Sequence, residues 1–297
     1  MRFSGKILWF GEHTVLRGSR ALAGPLPAFG GTWREGGSPG QQQRLSEWRG
    51  WLRVQQTARA LTADYDLERF DRDLAAGLYF DSDIPVGYGA GSSGALCAAF
   101  YARYAQEPIS ANTSDQLTQL KTIFAQLESF FHGSSSGTDP LICYANAGLL
   151  LEPEGRISRV DLPALPHGQA FFLIDTGIRR STGPLVEAFL ERYDRNPGFR
   201  QKALRSLVTV SDVALETWLE KRFDDLFPAI HALSELQLRH LDFLIPEAFQ
   251  ELWQNALSTP HTRLKLCGAG GGGFLLGYSA DRAGTEAFLP KGSTVWL

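Results

Sequence analysis

The stretch Ile84-Pro85-Val86-Gly87-Tyr88-Gly89-Ala90-Gly91-Ser92-Ser93-Gly94-Ala95-Leu96-Cys97-Ala98-Ala99-Phe100 reads as a glycine-rich loop running directly into a helix. Gly87, Gly89 and Gly91 let the backbone take positive φ and approach a ligand closely. Ser92 and Ser93 fall where the unpaired N–H groups of a first helical turn point outward. Aligned peptide dipoles add partial positive charge at that start, so the loop suits an anion such as a polyphosphate. On the loop alone, a structural turn whose glycines only permit tight packing stays open.

Two other loop types have related spacing. Gly89-Ala-Gly91-Ser-Ser-Gly94 satisfies the dinucleotide-binding pattern, but that pattern needs a buried strand before it and an acid closing a second strand after it. Neither is evident: Pro85 makes Asp81 to Pro85 a poor central strand, and Asn112 to Asp115 reads as loop and helix cap. No Gly-Lys-Ser/Thr follows, which excludes a Walker loop.

With 297 residues and 43% apolar content, the chain can bury a large core in one large or two moderate domains. A net charge of −3 gives no electrostatic case for nucleic acid. The three cysteines, Cys97, Cys143 and Cys267, are widely spaced, which argues against a disulfide framework or zinc site and suits a reducing cytoplasm. The N-terminus lacks a signal-peptide core, and no apolar span is long enough for a membrane. A soluble, cytoplasmic protein is expected.

Ile7 to Phe10 reads as a buried strand. Thr14 to Leu16 and Ala21 to Ala23 flank Arg17-Gly-Ser-Arg20, which reads as a hairpin turn. Lys6, Glu12 and His13 bracket that strand. Gly30 to Gly40 reads as loop, and Leu45 to Leu61, carrying Trp48 and Trp51, shows no clean period. A tryptophan there could stack on adenine or belong to the core.

The helix opened by Ser92 is expected to run to Pro108. A second helix follows Asn112, with Leu117, Leu120, Phe124, Leu127 and Phe131 on one stripe and Glu128 at its edge, where a carboxylate needs a cation. His132-Gly-Ser-Ser-Ser-Gly-Thr-Asp139 follows, a linker or a loop carrying one acid. A polyphosphate loop, a helical glutamate and a loop aspartate are the inventory of phosphoryl transfer. Leu162 to His167 reads as a proline-rich connector. Beyond it lie the strand Ala170 to Ile174, helices over Leu185 to Tyr193, Ala203 to Phe223 and Ala229 to Phe243, and strands either side of Gly268 to Gly273.

Together these motifs resemble the GHMP small-molecule kinase superfamily, and within it most closely the mevalonate kinase family. The carriers are Gly5-Lys6-Ile-Leu-Trp-Phe-Gly11-Glu12-His13, Pro85 to Ala95, Glu128 with His132 to Asp139, Arg180-Ser-Thr182, and Lys265-Leu-Cys-Gly268 through Gly273. Departures are Gly94 and Cys267 in place of alanine and threonine, and Ser135 where proline is common.

The resemblance implies an α+β fold of two domains, residues 1–162 and 163–297, with the nucleotide between them. It implies Asp139 and Lys6 as catalytic groups. Gly87, Gly89, Ala90, Gly91, Ser92, Ser93, Gly94 and Gly270 would bind ATP. Ser93 and Glu128 would hold Mg2+, and Glu12, His13 and Thr182 would contact a small hydroxy acid. The expected reaction is ATP-dependent phosphorylation of mevalonate's primary hydroxyl. A sibling kinase acting on phosphomevalonate and a non-catalytic ligand sensor are the alternatives, and a homodimer is left open.

Overall fold

In the computed structural model, which describes residues 1–290 and 292–297, Arg2–Phe10 forms strand β1 with Phe3, Ile7 and Trp9 buried at every second position. That alternation leaves Lys6 on the other side of the pleat. β1 pairs antiparallel with β2 (Ala21–Arg34). The expected hairpin arm at Thr14 to Leu16 is instead a short 3-10 turn, Thr14–Arg17. Left-handed backbone at Gly11, His13 and Gly18 folds this connection back on itself, so the pairing partner of β1 begins only at Ala21.

The expected loop from Gly30 is also corrected, because β2 continues through it to Arg34. A Cβ on Gly31 would lie 2.3 Å from the Phe80 ring, so the glycine makes room for an aromatic ring from the neighbouring strand. Helix α1 (Pro39–Thr57) then covers most of the unassigned stretch, opened by a Ser38–Gln41 capping box. Trp48 is fully buried with its ring 4.7 Å from Phe100, which makes it core and not an adenine platform. Helix α2 (Leu67–Ala75) leads to β3 (Tyr79–Ser82), an edge strand pairing only with β2, as Pro85 just beyond it allows.

Helix α3 (Ser92–Tyr104) starts at Gly91 and ends at Tyr104, short of Pro108, where Ala105 turns extended to bridge Tyr65. Helix α4 (Ser114–His132) is capped by Thr113 and Gln116. The serine-rich loop is shorter than its sequence suggested, because Thr138–Ala145 is helical (α5), placing Asp139 in a first helical turn. Strands β4 (Gly148–Leu151) and β5 (Ile157–Val160) complete a sheet of order β1-β2-β4-β5, with β3 also on β2.

After the connector come β6 (Ala170–Asp175), α6 (Thr182–Arg195), α7 (Leu204–Leu219), α8 (Phe223–His240) and α9 (Glu247–Ser258). The break between α7 and α8 falls at Lys221, which has positive φ. α8 therefore begins ahead of Pro228, where Asp224 and Asp225 complement its N-terminal dipole. Strands β7 (Thr262–Leu266) and β8 (Phe274–Ser279), helix α10 (Arg282–Phe288) and strand β9 (Thr294–Trp296) close the chain. The second sheet, β7-β8-β6-β9, is antiparallel at every pairing. Trp9 of the first sheet packs on Phe171 of the second at 4.9 Å and on Trp218 of α7 at 5.0 Å, so one apolar core joins the two. No helix among the described residues is long and apolar enough to cross a membrane.

Candidate active site

The glycine loop is tied to β1: the Lys6 N–H donates to the Ala90 carbonyl at 2.9 Å. Gly91 takes φ of 82° immediately before α3, turning the first N–H groups of that helix toward the loop's concave side. A Cβ on Gly91 would meet the Lys6 side chain at 2.8 Å, so only glycine lets the lysine pass beneath the loop. Gly94 has a similar reason for departing from alanine. Its Cβ would lie 2.9 Å from the Asp139 backbone, so glycine lets α5 seat Asp139 against the start of α3.

Lys6 Nζ lies 2.9 Å from Asp139 Oδ1. Burial opposes the Lys6 charge, but the Asp139 carboxylate outweighs it and the ammonium is held above its ordinary value. Ser93 Oγ donates to Glu128 Oε1 at 2.8 Å. Burial first, and then the charge of Asp139, push the Glu128 carboxyl up. Two acids thus face one small polar space, with a hydroxyl at its edge. Oxygen donors with surplus negative charge are what Mg2+ takes, so the residues fit that ion.

A second group of polar side chains lies beside the first. Arg180 Nη1 donates to Thr182 Oγ1 at 2.6 Å, and its Nη2 stands 2.1 Å from where a Gly89 Cβ would be. Burial lowers the Arg180 pKa, against the opposing pull of Cys267 and Asp139. Among the described residues Arg180 has no carboxylate partner within ion-pair distance. Glu12 is not left free: its side chain is buried in an ion pair with Lys265 of β7. Burial raises the Glu12 pKa, and Lys265 pulls it back. Arg180 and Lys265 lie within motifs the sequence singled out, but the pairing of Lys265 was not legible there, since its partner Glu12 is distant in the chain.

His13 packs its ring 4.8 Å from Phe189, and its Nε2 donates to the Ala269 carbonyl at 3.0 Å, which fixes the tautomer. The third glycine loop is thereby clamped to the first motif. Gly270 sits where a Cβ would meet the Leu244 carbonyl at 2.3 Å, and Gly273 where one would meet the Tyr88 carbonyl at 2.5 Å. This loop therefore closes against the phosphate loop, as Arg180 N–H does by donating to Gly87 O at 3.0 Å. Of the sequence-picked residues, Lys6, Gly87 to Gly94, Glu128 and Asp139 form one cluster. Glu12, His13, Thr182 and Gly270 lie on the adjoining wall. Two cavities of about 390 and 500 Å³ near the end of α1, lined by Gln56, Arg59 and Asp66 among others, hold none of these residues.

Burial chiefly lowers the His13 pKa, to about 4; the Ala269 carbonyl acts against this and the Arg180 charge adds to it. The unfolded chain, with a histidine near 6.5, takes up the proton first as pH falls. Stability present above 6.5 is therefore lost between 6.5 and 4. By about pH 4.5 the loss from this group is expected to be about 2–3 kcal/mol. Urea titrations at pH 7 and 4.5 should show it in the wild type and not in His13→Asn, which also tolerates positive φ. Equal pH dependence in both proteins would rule it out.

Residues 53–146 match the model of the GHMP kinases N terminal domain, the segment that carries the phosphate loop, Glu128 and Asp139. The mevalonate kinase of Archaeoglobus fulgidus is 27% identical over 295 residues, covering 98% of this chain and 94% of that one. Over residues 53–146 the chain is similar to the GHMP kinases. Over nearly its whole length it is similar to the mevalonate kinases. The mevalonate kinase of Pyrococcus abyssi is 26% identical, covering 90% of this chain and 84% of the relative. Among solved structures, the L. major mevalonate kinase in complex with R-mevalonate superposes with a TM-score of 0.65 at 17% identity, covering 97% and 89% of the two chains. The Streptococcus pneumoniae phosphomevalonate kinase gives 0.63 at 14% identity, with 97% and 94% covered. At such identities these structures speak for the α+β fold. The chain is a kinase that transfers a phosphoryl group from ATP to an alcohol.

Proposed function

We propose that this GHMP kinase phosphorylates the primary hydroxyl of mevalonate, in a chain whose two domains meet at residues 162 and 163. The carrying observation is the Lys6–Asp139 pair beneath the phosphate loop, 2.9 Å apart. Asp139 accepts the proton of the substrate hydroxyl as its oxygen forms the new bond to the γ-phosphorus and the bridging oxygen leaves with ADP. A carboxylate is a weak base for an alcohol, but the transition state is loose and the proton leaves late. Position therefore matters more than basicity. Lys6 holds the carboxylate in place and offsets charge on the transferring group. The loop amides from Gly87 to Gly94 orient the phosphates, with Gly270 closing over them. Ser93 and Glu128 would hold Mg2+, which when bound supplies positive charge to the phosphate oxygens.

The charge inventory favours mevalonate over its phosphorylated form. Lys6 and Lys265 are already paired with Asp139 and Glu12, and Arg180, beside Thr182 and more buried than Arg179, is the cation offered to one substrate carboxylate. His13 and the Glu12–Lys265 pair shape the wall behind it. A coupled ADP-release assay is expected to show mevalonate turnover exceeding that of phosphomevalonate by at least ~100-fold in kcat/KM. Preference for phosphomevalonate would shift the assignment to a sibling kinase. ATP binding without phosphorylation of any small alcohol would make the chain a sensor.

A further inference from the structure

Ser135 stands where the GHMP pattern commonly has a proline, and a proline offers no hydroxyl. Here the Ser135 hydroxyl donates to Glu128 Oε2 and accepts the Gly137 N–H at 2.9 Å. On the other side, Ser93 Oγ donates to Glu128 Oε1 at 2.8 Å. One oxygen of this carboxylate is thus held by a hydroxyl from the first turn of α3 and the other by a hydroxyl from the loop after α4. His132 Nε2 lies 3.0 Å from Ser93 Oγ; because the serine proton is directed to Glu128, the imidazole is the donor. With Glu128 only 5% exposed, few waters can substitute for these hydroxyls if one is removed.

The placement of Ser135 is itself fixed. Gly133 and Gly137 bound its loop with φ of 74° and 72°. A Cβ at Gly137 would lie 2.0 Å from the Lys121 carbonyl, so the loop is pressed directly onto α4, the helix carrying Glu128. We infer that Ser135 is a positioning residue for the Ser93–Glu128 metal site, holding the second Glu128 oxygen so that the carboxylate is pre-set for a divalent cation. This inference rests on the kinase reading, in which Ser93 and Glu128 bind Mg2+.

The test is a Mn2+ titration of the whole protein in the presence of ADP, with free Mn2+ read by electron paramagnetic resonance. Ser135→Ala is expected to raise the Mn2+ dissociation constant about tenfold. Ser135→Thr, which keeps the hydroxyl, should stay within about twofold of wild type, as should the ADP affinity of both variants in EDTA. If Ser135→Ala does not fold, Ser135→Pro carries the same test with the residue common in the family. Tenfold weakening in the hydroxyl-free variant with rescue by threonine supports the inference. Wild-type Mn2+ affinity in Ser135→Ala, or equal loss in Ser135→Thr, overturns it. Undiminished Mn2+ binding in Glu128→Gln, or none in the wild type, overturns the metal-site reading as well, so the two failures are distinguishable.

Discussion

Asp139→Asn is expected to lower kcat by about 10³-fold while changing ATP affinity by less than about threefold. The substitution is nearly isosteric and stays in the first turn of α5, where Gly137 precedes the helix and Pro140 follows without a lost hydrogen bond. It removes the proposed proton acceptor and leaves the phosphate loop, Ser93 and Glu128 in place. Lys6 then has no carboxylate within 2.9 Å, and its ammonium, no longer supported against burial, becomes easier to deprotonate. Both changes act on the transition state more than on bound nucleotide, so the loss falls in kcat. Turnover by coupled assay and ATP affinity by calorimetry check it together. A kcat within tenfold of wild type would remove Asp139 from the chemistry, and a parallel collapse of ATP affinity would mean that the substitution disturbs the loop itself.

What could be read beforehand was set mainly by short-range chemistry. Gly91 followed by Ser92 marks a helix start because positive φ and unpaired N–H groups are properties of neighbours. The start of α4 was legible at Asn112 to Asp115, where Thr113 and Gln116 form its capping box. β2 was cut short at Gly30 because the filler of the space above Gly31 is Phe80, which sequence order does not connect to it. α1 escaped assignment since its buried face, Leu45, Trp48 and Leu52, is narrow and interrupted by exposed arginines. The loop before Asp139 looked like a linker because its serines are ordinary turn residues until Glu128 is placed beside Ser135. The resemblance of the motifs suggested Lys6 with Asp139, whereas the partner of Glu12 became visible only once β7 was placed beside the end of β1.

Lys265→Met is expected to destabilise the protein by about 3–5 kcal/mol, the usual result of leaving one partner of a buried ion pair alone. Glu12 and Lys265 side chains are each 1% exposed. Lys265 also donates to the Leu266 carbonyl at 2.7 Å and lies 5.5 Å from the Phe10 ring, so its ammonium is satisfied on several sides. Glu12 is less well supplied, since its Oε2 has no hydrogen-bond partner among the described residues. Removing the lysine therefore exposes the burial penalty already pushing the Glu12 carboxyl up, and the variant must either bury a lone charge or bind a proton to avoid it. Glu12→Gln should lessen that penalty, so Glu12→Gln/Lys265→Met is expected to recover more than half of the lost stability in urea titrations. The non-additivity isolates the pair because the two residues share one contact and reach it from the end of β1 and from β7. Additive losses in the double variant would mean that Glu12 is already neutral, or that each side chain acts through other contacts. Coupling energy in the cycle would instead identify the pair as a joint between the end of β1 and β7.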